Sequence, residues 1–190
     1  MTDEKVKYIN RQIGEALKNE KNCCTKGCSF CCHQQIEIIN IEKKLIREYI
    51  IKKTSDKQKK IIKENLKTWL DFFDENTPDN RILDGNDIFK DFGEKVAGKG
   101  LKCPLLINNL CSIYEMRPIT CRIHYVEHSP ELCDKDKLRD SAFKGMSLRN
   151  YVINMLKNVE EINVEPLANV ISDIFLPERK LKPMKKIIVR

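Results

Sequence analysis

At 190 residues, 41% hydrophobic and 33% charged, the chain has room for one domain with a modest core and a strongly charged surface. No run of about 18 apolar residues occurs, which excludes a membrane-spanning helix. The formal charge of +7 is concentrated in residues 179–190, Arg-Lys-Leu-Lys-Pro-Met-Lys-Lys-Ile-Ile-Val-Arg, which contain no acid. The remainder is close to neutral, unlike the basic face of a general nucleic-acid-binding domain, so any nucleic-acid contact is expected from the tail alone.

The opening Met-Thr-Asp-Glu-Lys-Val-Lys-Tyr has no apolar segment and no small-residue cleavage site, so a cytoplasmic location is expected. Val6, Ile9, Ile13 and Leu17 recur at helical spacing and predict an amphipathic helix over about 3–21. It leads into a knot of thiols, Cys23-Cys24-Thr25-Lys26-Gly27-Cys28-Ser29-Phe30-Cys31-Cys32-His33. Gln34–Ile39 is short and β-prone. Asn40 can cap a helix over about 41–53 that turns Leu45, Ile46, Tyr49 and Ile50 inward. Thr54-Ser55-Asp56 breaks that helix and caps the next, over about 56–75, where Ile62, Leu66, Trp69 and Phe73 follow one seam. That stripe is core packing, with Trp69 as an anchor.

Residues 76–100 are rich in Pro, Gly, Asn and Asp, with one short helix at about 86–96. Leu101–Tyr114 reads as a small hairpin. Asn108-Asn109 supplies the positive-φ positions of its turn, with Cys103 and Cys111 near the far ends of the strands. Pro118 is suited to open a short helix carrying Cys121 and Arg122. Further helices fit about 135–144, about 147–159 (Leu148, Tyr151, Val152, Met155, Val159) and about 163–176, the last with Asn163 as cap and Pro166 in its first turn.

In a reducing compartment nine cysteines point to metal rather than to disulfides. From Cys24 the spacing is C-x3-C-x2-C-C, steps that let thiolates of one turn reach one metal. Adjacent side chains diverge, so Cys31 and Cys32 either serve two centres or supply one ligand between them. Eight cysteines match two four-thiolate sites, and equally one larger cluster plus a zinc. Cys103 lies too far beyond Cys32 for a zinc ribbon, whose second pair follows about 15–20 residues on. Such centres are anionic. Arg117 and Arg122 beside Cys121, and Lys26 and Lys102 beside other cysteines, can offset that charge, although each is also an ordinary surface base. His33, His124 and His128 all lie near cysteines, as further ligands or as hydrogen-bond partners of the ligands.

The knot, followed by Cys103-Pro104-Leu105, by Cys111-Ser112-Ile113-Tyr114-Glu115-x-Arg117-Pro118-x-x-Cys121-Arg122 and by Cys133-Asp134-Lys135, resembles the YkgJ-type cysteine-cluster family. That family is described as a zinc- or iron-chelating C-x-x-C-x-x-C-C domain, and the resemblance spans residues 22–136. It implies that Cys24, Cys28, Cys31, Cys32, Cys103, Cys111, Cys121 and Cys133 hold zinc or iron, a 4Fe-4S cluster included, in one or two centres. This chain departs from the pattern in its doubled Cys23-Cys24, which leaves the first ligand open with Cys23 as the spare thiol. It departs again in a long 33–102 insert, helical over 41–76.

The resemblance implies binding more firmly than reaction. The leading expectation is a cytoplasmic metal or iron–sulfur protein with a structural, redox or accessory role, an unidentified protein partner or substrate, and no membrane contact. Flagellin lysine N-methylases share this style of cluster, which makes S-adenosylmethionine-dependent protein lysine N-methylation the enzymatic alternative. Gly98-Lys99-Gly100 is too isolated to count as a nucleotide-cradling loop. A zinc-stabilised interaction module reaching an acidic partner through 179–190 is a third reading, and a disulfide-stapled secreted domain the weakest. The expected fold is mainly α with a small β-hairpin. Amphipathic helices pack an irregular cysteine-rich core over residues 1–178, with 179–190 as a basic tail.

Overall fold

The computed structural model describes residues 2–20, 23–24, 26–77, 86–124, 126–127, 129–135, 143–156 and 163–179. It is mostly helical, with two short antiparallel strand pairs. Helix α1 (Thr2–Leu17) carries Asp3 and Glu4 in its first turn, where negative charge suits the dipole, and buries Val6, Ile9 and Ile13. It stops short of residue 21, because no apolar side chain after Leu17 extends its buried face.

Strand β1 (Glu37–Ile39) runs into a 3-10 turn, Asn40–Glu42, before helix α2 (Lys43–Lys53) buries Ile46 and Ile50. Asn40 does not cap this helix. Its N–H donates to the Asn163 carbonyl at 2.9 Å, and its side-chain oxygen accepts from the Asn163 N–H at 3.3 Å. Helix α3 (Asp56–Asn76) starts on a reciprocal cap: Ser55 Oγ accepts from Gln58 N–H at 3.3 Å, and Gln58 Oε1 accepts from Ser55 N–H at 2.9 Å. The expected seam of Ile62, Leu66, Trp69 and Phe73 is buried.

Helix α4 (Asn86–Lys99) ends at Gly100, whose φ of 64° favours glycine. The Gly100 N–H donates to the Ala97 carbonyl at 3.0 Å and the Leu101 N–H to Val96 at 3.1 Å, a Schellman stop. Gly98-Lys99-Gly100 is therefore a helix terminus. Strands β2 (Leu106–Ile107) and β3 (Leu110–Cys111) form the expected hairpin, with Asn108 and Asn109 at φ of 50° and 58°. Helices α5 (Ile119–Ile123), α6 (Glu131–Lys135) and α7 (Phe143–Leu156) follow. Most of the helix expected at 135–144, and Val159, lie outside the described residues.

The segment expected to open a helix at Asn163 is instead strand β4 (Val164–Pro166), and helix α8 (Leu167–Phe175) begins after it. Proline disfavours helical geometry in the residue before it, which leaves Glu165 extended. β4 pairs antiparallel with β1, Ile38 opposite Glu165, and the Leu167 N–H donates to the Ile36 carbonyl at 2.8 Å. Lys43 closes this joint, 3.1 Å from Glu165 and 3.0 Å from Asp173. Burial works against its charge, but the two carboxylates hold its pKa above the usual range.

Two apolar clusters result. The larger joins α2, α3, α4, α8 and the hairpin, centred on Trp69, Phe73 and Phe92, whose ring centroids lie 5.1–5.6 Å apart in stacked and edge-on pairs. The smaller joins Ile9 and Ile13 of α1 to Ile119 and Ile123 of α5 and Val152 of α7. Arg179, expected as the start of a solvated tail, bridges Asp71 at 2.8 Å and Asp74 at 2.7 Å on α3. Residues 180–190 lie outside the described residues.

Glu42 braces the smaller cluster. It is 2% exposed, and its carboxylate accepts from the Ile119 N–H at 2.7 Å and the Ile39 N–H at 3.1 Å. Burial pushes its pKa from 4.5 up to about 7, despite those two bonds and the positive charge of Arg122. A carboxyl whose folded pKa is raised contributes stability that is present below its unfolded pKa and lost as pH rises through the folded value. Between about pH 4.5 and 7 this amounts to roughly 3 kcal/mol. Glu42→Gln keeps one acceptor and removes the ionisation. Urea unfolding should show the wild-type chain more stable at pH 5 and the gap closing toward pH 8; a pH-independent gap would refute the buried titration.

Candidate metal centre

The knot folds locally first. Gly27, at φ 92°, takes a conformation that L side chains rarely adopt. The Cys32 N–H then donates to the Ser29 carbonyl at 2.9 Å, winding Phe30–His33 into a 3-10 turn. His33 Nδ1–H donates to the same carbonyl at 3.0 Å, which leaves Nε2 as the lone-pair nitrogen. Cys23 is tied elsewhere: its N–H and its thiol both donate to the Val126 carbonyl, at 3.2 and 3.4 Å.

The second half of the chain is hydrogen-bonded to this turn. The Cys103 N–H donates to the Cys32 carbonyl at 2.7 Å, and the Leu106 N–H donates back to the Cys103 carbonyl at 2.9 Å. Asn65 on α3 reaches across and donates its amide to the carbonyls of Pro104 and Leu106, both at 3.2 Å. Cys103 thus sits in the larger core, with Cys32 and Cys111 packed against it. Cys121 comes from α5, held by Glu42 at its first turn and by the Thr120 hydroxyl, which donates to the Glu37 carbonyl at 2.7 Å. Helix α6, carrying Cys133, packs on the Phe30–His33 turn.

All nine cysteines are free thiols. Burial pushes Cys103 up to about 12 and Cys121 well above its ordinary range. Cys111 is raised by burial too, against the pull of Arg117 and Arg122. Partial burial and the fields of Cys23, Cys28, Cys31 and Cys133 push Cys24 to about 12. Cys31 is the exception: a hydrogen bond from the Cys32 thiol brings it down to about 7, and the same bond with burial drives Cys32 upward. Protons and a metal compete for such sulfurs, and a cation is what favours thiolates in a buried setting.

The eight expected ligands fall in one region, linked by backbone bonds and by mutual fields. Among the described residues no group of three or more Cys, His, Asp or Glu side chains is closed tightly enough to hold a metal as it stands. Thiol sulfurs gathered without a cation have nothing to draw them to one point. His124 follows α5, and His128 lies outside the described residues.

The charges around the thiols fit an anionic centre. Arg122 donates Nε–H to the Arg117 carbonyl at 3.0 Å and a second N–H to the Glu115 carbonyl. Arg117 lies over the Tyr114 ring, 4.2 Å from its centroid, and its field lowers Cys31 and Cys111. Its Nε is buried and has no hydrogen-bond partner, an arrangement that a sulfur-ligated anion nearby would satisfy. Lys26 and Lys102 are exposed. Sequence reasoning did not single out Glu42 or Asn65, which read as polar positions on amphipathic helices until their backbone partners are known.

A family model described as "Putative zinc- or iron-chelating domain", CxxCxxCC, matches residues 22–142. The chain belongs to the CxxCxxCC family. No curated protein and no solved structure matches it. The family domain covers every cysteine discussed above, the α2–α4 segment that carries Asn65, and both Arg117 and Arg122. Arg117→Met keeps the stem over Tyr114 and removes the charge and the orphaned N–H. Competition with a chromophoric chelator should show zinc affinity reduced about 10–100-fold; unchanged affinity would show that Arg117 takes no part in metal binding.

Proposed function

We propose that this member of the zinc- or iron-chelating domain family uses Cys24, Cys28, Cys31, Cys32, Cys103, Cys111, Cys121 and Cys133 to hold zinc or an iron–sulfur cluster, and that the centre is primarily structural. The observation that carries the reading is the Cys103 amide bonded to the Cys32 carbonyl beside a buried, unpartnered Arg117 Nε. That bond joins cysteine segments remote in the chain, and the orphaned N–H is a donor that a sulfur-ligated anion would satisfy. Bound there, a zinc ion would tie the segments together. An iron–sulfur cluster would do the same and add one-electron chemistry.

A structural role follows from what the ligand-bearing segments lack. The turn at Phe30–His33, the two-residue strands and the five-residue helices α5 and α6 are all too short to hold themselves. Metal binding to such segments is part of their folding free energy. The test is anaerobic purification with zinc, iron and sulfide measured per chain, followed by chelation and thermal unfolding. Stoichiometric zinc in colourless protein, or iron with sulfide in brown protein, is expected, with a lower and broader melt once metal is removed. A chain carrying neither metal would overturn the reading, and an unchanged melt after verified removal would overturn the structural role.

A further inference from the structure

We propose, resting on the metal-binding reading above, that Asn65 is a positioning residue of the metal centre. It acts through the backbone, setting the segment that carries both Cys103 and Cys111. That segment is too small to hold its own shape. Strands β2 and β3 have two residues each, and a hairpin that short is marginal by itself. The Leu106 N–H donates to the Cys103 carbonyl at 2.9 Å, closing a turn with Pro104 in its second position, where a fixed φ suits. Beyond the turn, the strand register sets Leu106 opposite Cys111, and the Ser112 N–H donates to the Leu105 carbonyl at 2.9 Å. Cys103 and Cys111 thus belong to one turn-and-hairpin unit.

The carbonyls of that unit show where Asn65 enters. Of the four from Cys103 to Leu106, the unit's own N–H groups satisfy those of Cys103 and Leu105. The other two, Pro104 and Leu106, both accept from the Asn65 amide at 3.2 Å. Asn65 stands on α3 between Ile62 and Trp69, at the border of the buried seam. Leu105 and Leu106 are buried as well, but apolar attraction is non-directional and would tolerate a slide along α3. Two hydrogen bonds from one planar amide would not. A carboxylate has no N–H to give and a hydroxyl only one donor, so neither Asp nor Ser replaces Asn here.

The effect reaches the ligands directly. The Cys103 carbonyl is bonded to Leu106, and its N–H donates to the Cys32 carbonyl at 2.7 Å. A shift of the hairpin on α3 is therefore passed to Cys103 at once, and to Cys111 through the strand register. A residue that only stabilised the fold would change the melt in proportion to the packing lost. A positioning residue also changes the metal that the thiols hold.

The test compares the full chain with Asn65→Leu, Asn65→Gln and Ile62→Val, the last removing a buried methylene from the same helix without touching the hairpin carbonyls. Each is loaded with zinc and separately with cobalt. Affinity is read by competition with a chromophoric chelator, ligand geometry by cobalt–thiolate absorption, and stability by thermal unfolding. Asn65→Leu should bind zinc about 10–100-fold more weakly, with a shifted cobalt spectrum. Asn65→Gln keeps both N–H donors one methylene farther out, and should show intermediate affinity and a shifted spectrum. Ile62→Val should melt lower with wild-type affinity and spectrum. Wild-type affinity and spectrum in Asn65→Leu, or an equal loss of affinity in Ile62→Val, would overturn the positioning role while leaving the metal-binding reading in place. If Asn65→Leu does not fold, Asn65→Gln decides: an unchanged cobalt spectrum overturns the role. A wild-type chain that binds neither metal would overturn both.

Discussion

The hydrogen bond from the Cys103 amide to the Cys32 carbonyl is the constraint around which the rest of the molecule is arranged. It joins two cysteine segments separated by residues 33–102. Closing a loop of that length costs about 4 kcal/mol in chain entropy before any constant term. The helices within the loop offset that cost. Phe73 and Phe92 are fully buried, and each such side chain contributes about 1.5–3 kcal/mol. The insert is therefore the part of the fold that makes the meeting of the thiols affordable, and a metal would act on segments already brought close.

Packing alone would leave the thiols loosely placed, and two polar contacts remove that freedom. Asn65 holds the carbonyls on either side of Leu105, fixing the strand that follows Cys103 relative to α3. Glu42 holds the first turn of α5, a helix too short to persist unaided, and so fixes Cys121. Losing either would leave buried backbone groups without partners, at about 1–3 kcal/mol apiece. The local electrostatics run in the same direction: burial holds most of the thiols protonated, and the nearby guanidinium charges favour an anion in their place.

Elements with a strong periodic signal were legible in advance. The seam of α3, the inward face of α1 and the Asn108-Asn109 turn are where local chemistry predicts them, because each depends on residues a few positions apart. The misread elements depend on remote partners. Asn163 and Pro166 look like a helix start, and they become strand because Ile36–Ile39 offers unpaired backbone on the other side. Asn40, a plausible cap, is drawn into the same joint. Arg179 reads as tail until Asp71 and Asp74 line up one turn apart on α3.

The sequence by itself determined the chemistry: nine thiols at spacings that suit metal, and arginines beside Cys121. The family match agrees, covering that whole span. These are properties of residue type and of short separations, which any chain carries with it. Only the tertiary structure decided which thiols are neighbours, that Cys23 is engaged with Val126, and that Cys32 rather than Cys31 lies against the core. Those are distances in space, and they are set by how the apolar faces of helices far from the cysteines pack together. A ligand's identity is written in its side chain; its company is chosen by the core.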